Sequence, residues 1–182
     1  MFERPRISYI IMVLLFILPQ SIYVIGDYMA VGIRFPLFRY QLASQSISGV
    51  GNGTAGNLLM SIITVVRELQ YISSGEVGGI LGKTALATYI WLAGLVVLFA
   101  AAALVVSWQL LENPGHARFP GPLIIITGVL FLVWAMAQYG PLFSGPSGYS
   151  IPVGVPVLWY CGYRFIQAAR GMGGKDQAPS RV

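Results

Sequence analysis

From Thr84 to Leu111 the chain reads TALATYIWLAGLVVLFAAAALVVSWQLL, with no charge, no proline and a single glycine. A helix of roughly 28 residues rising about 1.5 Å per residue is about 40 Å long. That length crosses a hydrocarbon core of about 30 Å with room to tilt. Inside lipid every backbone donor and acceptor must be satisfied by the protein, so a lone segment of this kind has to be helical. Trp91 and Trp108 stand toward its two ends, where indole rings favour the membrane–water interface. The stretch predicts a membrane protein, and the rest of the chain is read around it.

Composition agrees. Of the 182 residues 56% are hydrophobic and only 9% are charged, against about 25% charged in soluble domains. Mean hydropathy is +0.73. A net charge of +5 would suggest nucleic acid in a soluble protein. Here no nucleic-acid partner is expected, and basic flanks of membrane spans in contact with anionic lipid account for the charge. The single cysteine, Cys161, allows neither an intrachain disulfide nor a cysteine zinc cluster.

The expected fold is all-α: four transmembrane helices in a compact bundle, plus one amphipathic helix in a long first outer segment. Spans are expected over about 7–26, 84–111, 122–139 and 152–169, within a single membrane domain of residues 1–170. The first follows the basic head MFERPR and carries Pro19, which should kink or loosen it. It is longer than the apolar core of a signal peptide, and no A-x-A-like cleavage site follows it. The outer segment, 27–83, opens with an aromatic, irregular part in which Pro36 discourages a long helix. Its later part, 57–72, places Leu58, Ile62, Val65, Val66, Leu69 and Ile72 at three-and-four spacing, an amphipathic helix lying on the interface or the bundle, with a fifth span as the alternative. Pro-Gly in LENPGHARFP marks a tight turn between spans two and three. Residues 140–151, rich in glycine and proline, are expected to form an outward hairpin before span four, and a segment re-entering the membrane from Gly140 to Pro156 fits equally well. In span four Arg164 must snorkel toward the nearer interface. Residues 171–182 read as a disordered tail.

Basic residues flank the spans at Arg4 and Arg6, at His116 and Arg118, and at Arg170, Lys175 and Arg181. With four spans these three groups share one side, which the positive-inside rule makes cytoplasmic. The reading is a multi-pass cell-membrane protein with both termini inside and residues 27–83 outside.

Motifs with chemistry are few. In the run Arg34-Phe35-Pro36-Leu37-Phe38-Arg39-Tyr40, guanidinium groups alternate with rings. Arg34, Phe35, Phe38, Arg39 and Tyr40 are the candidate binding residues for a lipid headgroup or an acidic partner, through forked donors and stacking faces. The competing reading is an interfacial loop with its rings in the membrane surface. Asn52-Gly53-Thr54 fits the N-glycosylation pattern. Glu112, Asn113, His116 and Arg118 share one inter-helix turn, where a solvated loop explains them better than acid–base work. No catalytic residue, metal site or cofactor is expected, and Cys161 reads as a packing residue. The expected partners are membrane lipid and a protein partner or further copies of the chain.

Four spans with a long first outer segment are similar in plan to claudin-like four-span proteins. The signature of that group joins tryptophan to a Cys…Cys pair in the first outer loop, and residues 27–83 contain neither residue type. The resemblance implies the topology alone. Three functions fit: a non-enzymatic structural, assembly or accessory subunit acting through its outer segment; an oligomeric channel or transporter component; and a membrane enzyme acting on lipid or lipid-linked substrate, using Arg34, Arg39 and Glu68 or Glu76. The near absence of ionisable groups in the spans favours the first.

Overall fold

The computed structural model describes residues 5–25, 30–43, 85–111, 118–145 and 148–173. The described part of the chain is mostly helical, with α1 (Pro5–Ile17), α2 (Ala85–Leu111), α3 (Pro120–Tyr139) and α4 (Gly154–Gly173). Two of these, Leu86–Trp108 within α2 and Pro120–Tyr139, are long and apolar enough to cross a membrane. The expected amphipathic helix over 57–72 and the candidate Asn52 lie outside the described residues, as do residues 174–182.

The all-α expectation needs correction. Strands β1 (Ser21–Ile25), β2 (Ala30–Arg34), β3 (Arg39–Ala43), β4 (Ser144–Gly145) and β5 (Gly148–Ile151) form one antiparallel sheet in the order β3-β2-β1-β5-β4. The first span expected over 7–26 is in fact a helix ending at Ile17 followed by a strand. Pro19 is the cause: it lacks an N–H, and its ring disfavours helical geometry at Leu18. The last helical bond runs from Leu18 N–H to the Leu14 carbonyl, 2.8 Å. The Ser-Ile-Tyr-Val-Ile that follows is rich in β-branched and aromatic residues, which suit a pleated surface.

Helix α3 begins with Pro120 and Pro122 in its first turn, where a missing N–H costs nothing. It stops at Gly140, which takes φ +98° and returns its N–H to the Met136 carbonyl at 2.8 Å. The outer hairpin expected over 140–151 is β4 and β5. Phe143 enters it at φ +55° and is held by two backbone bonds, donating to Gly140 and accepting from Ser150 N–H, each 2.9 Å.

Helices α2, α3 and α4 pack side by side in chain order. The α2 seam is Ala87, Trp91, Leu95, Leu98, Ala101 and Val105, all buried. Their three-and-four spacing keeps one face toward α3. Opposite them lie Ile124, Phe131, Trp134 and Ala135. Small residues set the spacing. A Cβ on Gly94 would stand 2.6 Å from the Phe131 ring, and one on Gly128 would stand 2.6 Å from Trp159 Nε1. At the α3–α4 crossing the relation is reciprocal: a Cβ on Gly121 or on Gly162 would be 2.8 Å from the other's carbonyl oxygen. Backbone approach of this kind is how helices associate where burying apolar surface gives no advantage over lipid. The outward faces are apolar too, with Val96, Phe99, Ile126, Val129 and Tyr160 exposed.

Candidate functional site

The sheet sits where α1 and α3 end and α2 and α4 begin, as a cap on one end of the helices. Its junction with them is Gln20. The Gln20 N–H donates to the Arg34 carbonyl (2.7 Å), and its carbonyl accepts from Gly154 N–H (2.9 Å), so one residue ties β2 to the start of α4. Glycine is required at 154, because a Cβ there would meet the Pro19 carbonyl oxygen at 2.6 Å.

The cap's two faces are inverted relative to an ordinary sheet. Ser21 pairs with Arg34, Tyr23 with Gly32 on one side and with Ser150 on the other. Residues two apart on a strand share a face, so these residues form one face, and Ser21, Tyr23, Arg34 and Ser150 are buried. The opposite face carries Ile22, Val31, Tyr149 and Ile151, all exposed, with Val24 buried among them. Gly32 is fixed by the close pack of the inner face: a Cβ would meet the Tyr23 ring at 2.5 Å and the Tyr40 carbonyl oxygen at 2.6 Å.

Arg34 is the centre of the inner face. Its guanidinium carbon lies 4.7 Å from the Trp91 ring centre and 4.5 Å from that of Trp134, and the residue is only 9% exposed. Trp91 comes from α2 and Trp134 from α3, so one cation from the sheet bridges both helices. Trp134 in turn meets Tyr139 edge-on, with centroids 6.3 Å apart. A planar guanidinium suits such a slot: it stacks on ring faces, is weakly hydrated and stays charged. All six acidic residues of the chain fall outside the described residues, so every formally charged side chain in the described part is basic.

The predicted binding run is therefore divided. Arg34 faces inward and pins the cap. Phe35 and Phe38 stack at the tip of the β2–β3 hairpin, centroids 4.3 Å apart and 18° between planes. The turn is closed by Phe35 N–H to the Phe38 carbonyl, 2.8 Å, over a buried Pro36. Arg39 is the cross-strand partner of Arg34, and Tyr40 that of Ile33. Sequence reasoning missed the tryptophans as partners of Arg34. Trp91, expected near the interface end of its span, is buried within the protein against Arg34.

Around this centre several buried polar atoms have no hydrogen-bond partner in the structure: both amide atoms of Gln20, the hydroxyls of Ser21 and Ser150, and Trp91 Nε1. Such atoms are uncommon in folded proteins, and their concentration beneath one sheet marks this level of the molecule. No cluster of three or more His, Cys, Asp or Glu side chains occurs among the described residues. No protein-family model matches the chain, and neither a curated protein nor a solved structure does.

Proposed function

We propose that this chain is a multi-pass membrane protein of four spans, with both termini cytoplasmic and its sheet outside. On this reading it has no catalytic centre of its own and serves as a structural, assembly or accessory subunit, binding a partner through the outer cap. The observation that carries the reading is the inverted sheet. Its charged and polar residues are buried against the helices, while Val31 is 40% and Ile151 55% exposed on the far face. An apolar face turned away from the protein's own helices is a surface for another polypeptide. The arginine slot between two tryptophans holds that surface rigidly to the helices. The hairpin tip edges the same cap, its stacked Phe35 and Phe38 supplying rings to the rim, and Arg39 and Tyr40 open the strand that follows.

The test is co-purification in mild detergent, comparing the native chain with a Val31→Asp/Ile151→Asp double variant. The proposal expects a stoichiometric protein partner that the double variant loses while it still inserts and stays monodisperse. A homo-oligomer instead would favour the channel or transporter reading. Monomer in both cases, with no partner, would remove the subunit reading. It would leave the face to a segment of the same chain, for which the apolar stripe of residues 57–72 is the candidate.

A further inference from the structure

The strand order β3-β2-β1-β5-β4 leaves β3 at the edge of the cap, with a neighbour on one side only among the described residues. The opposite edge, β4, is Ser144–Gly145, too short to template another strand. By contrast β3 runs over Arg39–Ala43, contains no proline, and pairs with β2 at every position without a bulge. Short length, proline and bulges are devices that keep an edge from pairing with another chain. The β4 edge has the first of them, and β3 has none.

Two backbone bonds fix which groups of β3 face outward. The Arg34 carbonyl turns toward Gln20, and the Phe35 N–H turns toward the Phe38 carbonyl. Backbone groups alternate sides along an antiparallel strand, so Ile33 and Val31 address β3 through their cross-strand partners Tyr40 and Leu42. The N–H and C=O groups of Arg39, Gln41 and Ala43 therefore point away from β2, along the edge.

That row is complementary to itself. Laid antiparallel against a second copy and centred on Gln41, it sets Gln41 opposite Gln41 and Arg39 opposite Ala43 of the second copy. Each such pair exchanges both of its backbone bonds. The two Arg39 positions then stand about 14 Å apart, four residues along the strand at about 3.4 Å each, so like charges are not set opposite one another. The two-fold axis of an antiparallel pair is perpendicular to the sheet, so the inner faces of both caps point the same way. The helices beneath them then enter one bilayer in one direction. Parallel pairing needs an axis along the strands, which turns one cap over and sends its helices the opposite way.

We propose that the outer edge of β3 is an interface with a second copy of this chain, the two caps joining into one continuous antiparallel sheet centred on Gln41. Main-chain bonds supply the affinity, as in other strand additions. The inference rests on the reading of the helices as membrane spans, which selects the antiparallel mate. It leaves the outer faces of the two caps side by side and open to the partner proposed above.

The experiment is oxidative cross-linking of the full chain in its membrane, in a Cys161→Ser background. At the central pair the Cα atoms stand about 5.5 Å apart, within the range of about 4.4–6.8 Å that a disulfide spans. Gln41→Cys should therefore give a covalent dimer. Arg39→Cys alone and Ala43→Cys alone should each give at least about tenfold less, since each lies about 14 Å from its own copy. The Arg39→Cys/Ala43→Cys double variant should restore it. Gln41→Pro removes only an outward N–H, a place where an edge strand tolerates proline. In mild detergent it should convert a native dimer to monomer, while hydrogen exchange in β1, β2 and β5 stays as slow as in the native chain. A native monomer, equal cross-linking at 39, 41 and 43, a dimer that survives Gln41→Pro, or a different protein joined to position 41 each overturns the inference. Alkaline carbonate extraction separates its failure from that of the membrane reading. A chain released into the soluble fraction that still cross-links at 41 defeats the spans and leaves the dimer standing.

Discussion

The guanidinium carbon of Arg34 lies 4.5 Å from the ring centre of Trp134, which joins the second strand of the cap to the last turns of α3. With Trp91 on the other side at 4.7 Å, the arginine is held between two helices that its own strand never follows directly in sequence. Cation–π contacts are worth about 2 kcal/mol each when desolvated. Arg34→Gln should therefore lower stability by about 2–4 kcal/mol in equilibrium unfolding from mixed micelles, with a change in tryptophan emission. A double-mutant cycle with Trp134→Leu isolates the contact, and a coupling of about 1–2 kcal/mol is expected. Zero coupling would show that the two groups are neighbours without being partners.

Gly121 and Gly162 set the α3–α4 distance. Gly162→Ala should cost about 1–3 kcal/mol, because the added methyl meets backbone that cannot rotate away. Ala100→Leu, on the exposed face of α2, should change stability by no more than about 0.5 kcal/mol. Thermal unfolding of the two variants in the same detergent measures both. Equal effects would mean that the crossing is loose.

Helices α2 and α3 were legible because a long uncharged run has few alternatives in lipid, and their ends fall close to the expected bounds. The cap was not. Ser21–Ile25 adjoins the apolar run of α1, so composition alone merged strand and helix into one span. From sequence Pro19 kinks or loosens a continuous span, whereas in the structure it ends the helix. The β-branched and aromatic content of SIYVI, and the short turn at Pro36 between two arginines, were the signals available. The Arg34 slot could not be read at all, since Trp91 and Trp134 are assembled with it only by folding. Gly121 and Gly162 were visible as small residues, but nothing in the sequence pairs them.

The buried hydroxyl of Ser150 faces the inner side of the cap without a partner. Burying an unpaired polar group costs about 1–3 kcal/mol, so Ser150→Ala should be neutral or stabilising by up to about 1 kcal/mol. The readout is the denaturation midpoint in micelles. A loss above about 1 kcal/mol would instead reveal a hydrogen bond to an ordered water or ligand at this level.

Gly32 should tolerate no side chain. Gly32→Val drives a branched group into Tyr23 and the β3 backbone, so amide protection across β1, β2 and β3 should fall, while protection in α2 and α3 persists. Hydrogen exchange followed by mass spectrometry gives the comparison. Unchanged protection in the strands would contradict the packing described for the inner face.

Labelling of single cysteines tests most directly whether the protein crosses the membrane with its sheet outside. In a Cys161→Ser background, Leu142→Cys places a thiol at a position 86% exposed beside the cap, and Arg118→Cys places one at the opposite end of α3, where the residue is also exposed. An impermeant maleimide added to intact cells should modify position 142 and leave position 118 untouched until the membrane is opened. Labelling of 118 but not 142 would invert the topology. Equal labelling of both in intact cells would contradict a chain that crosses the membrane between them.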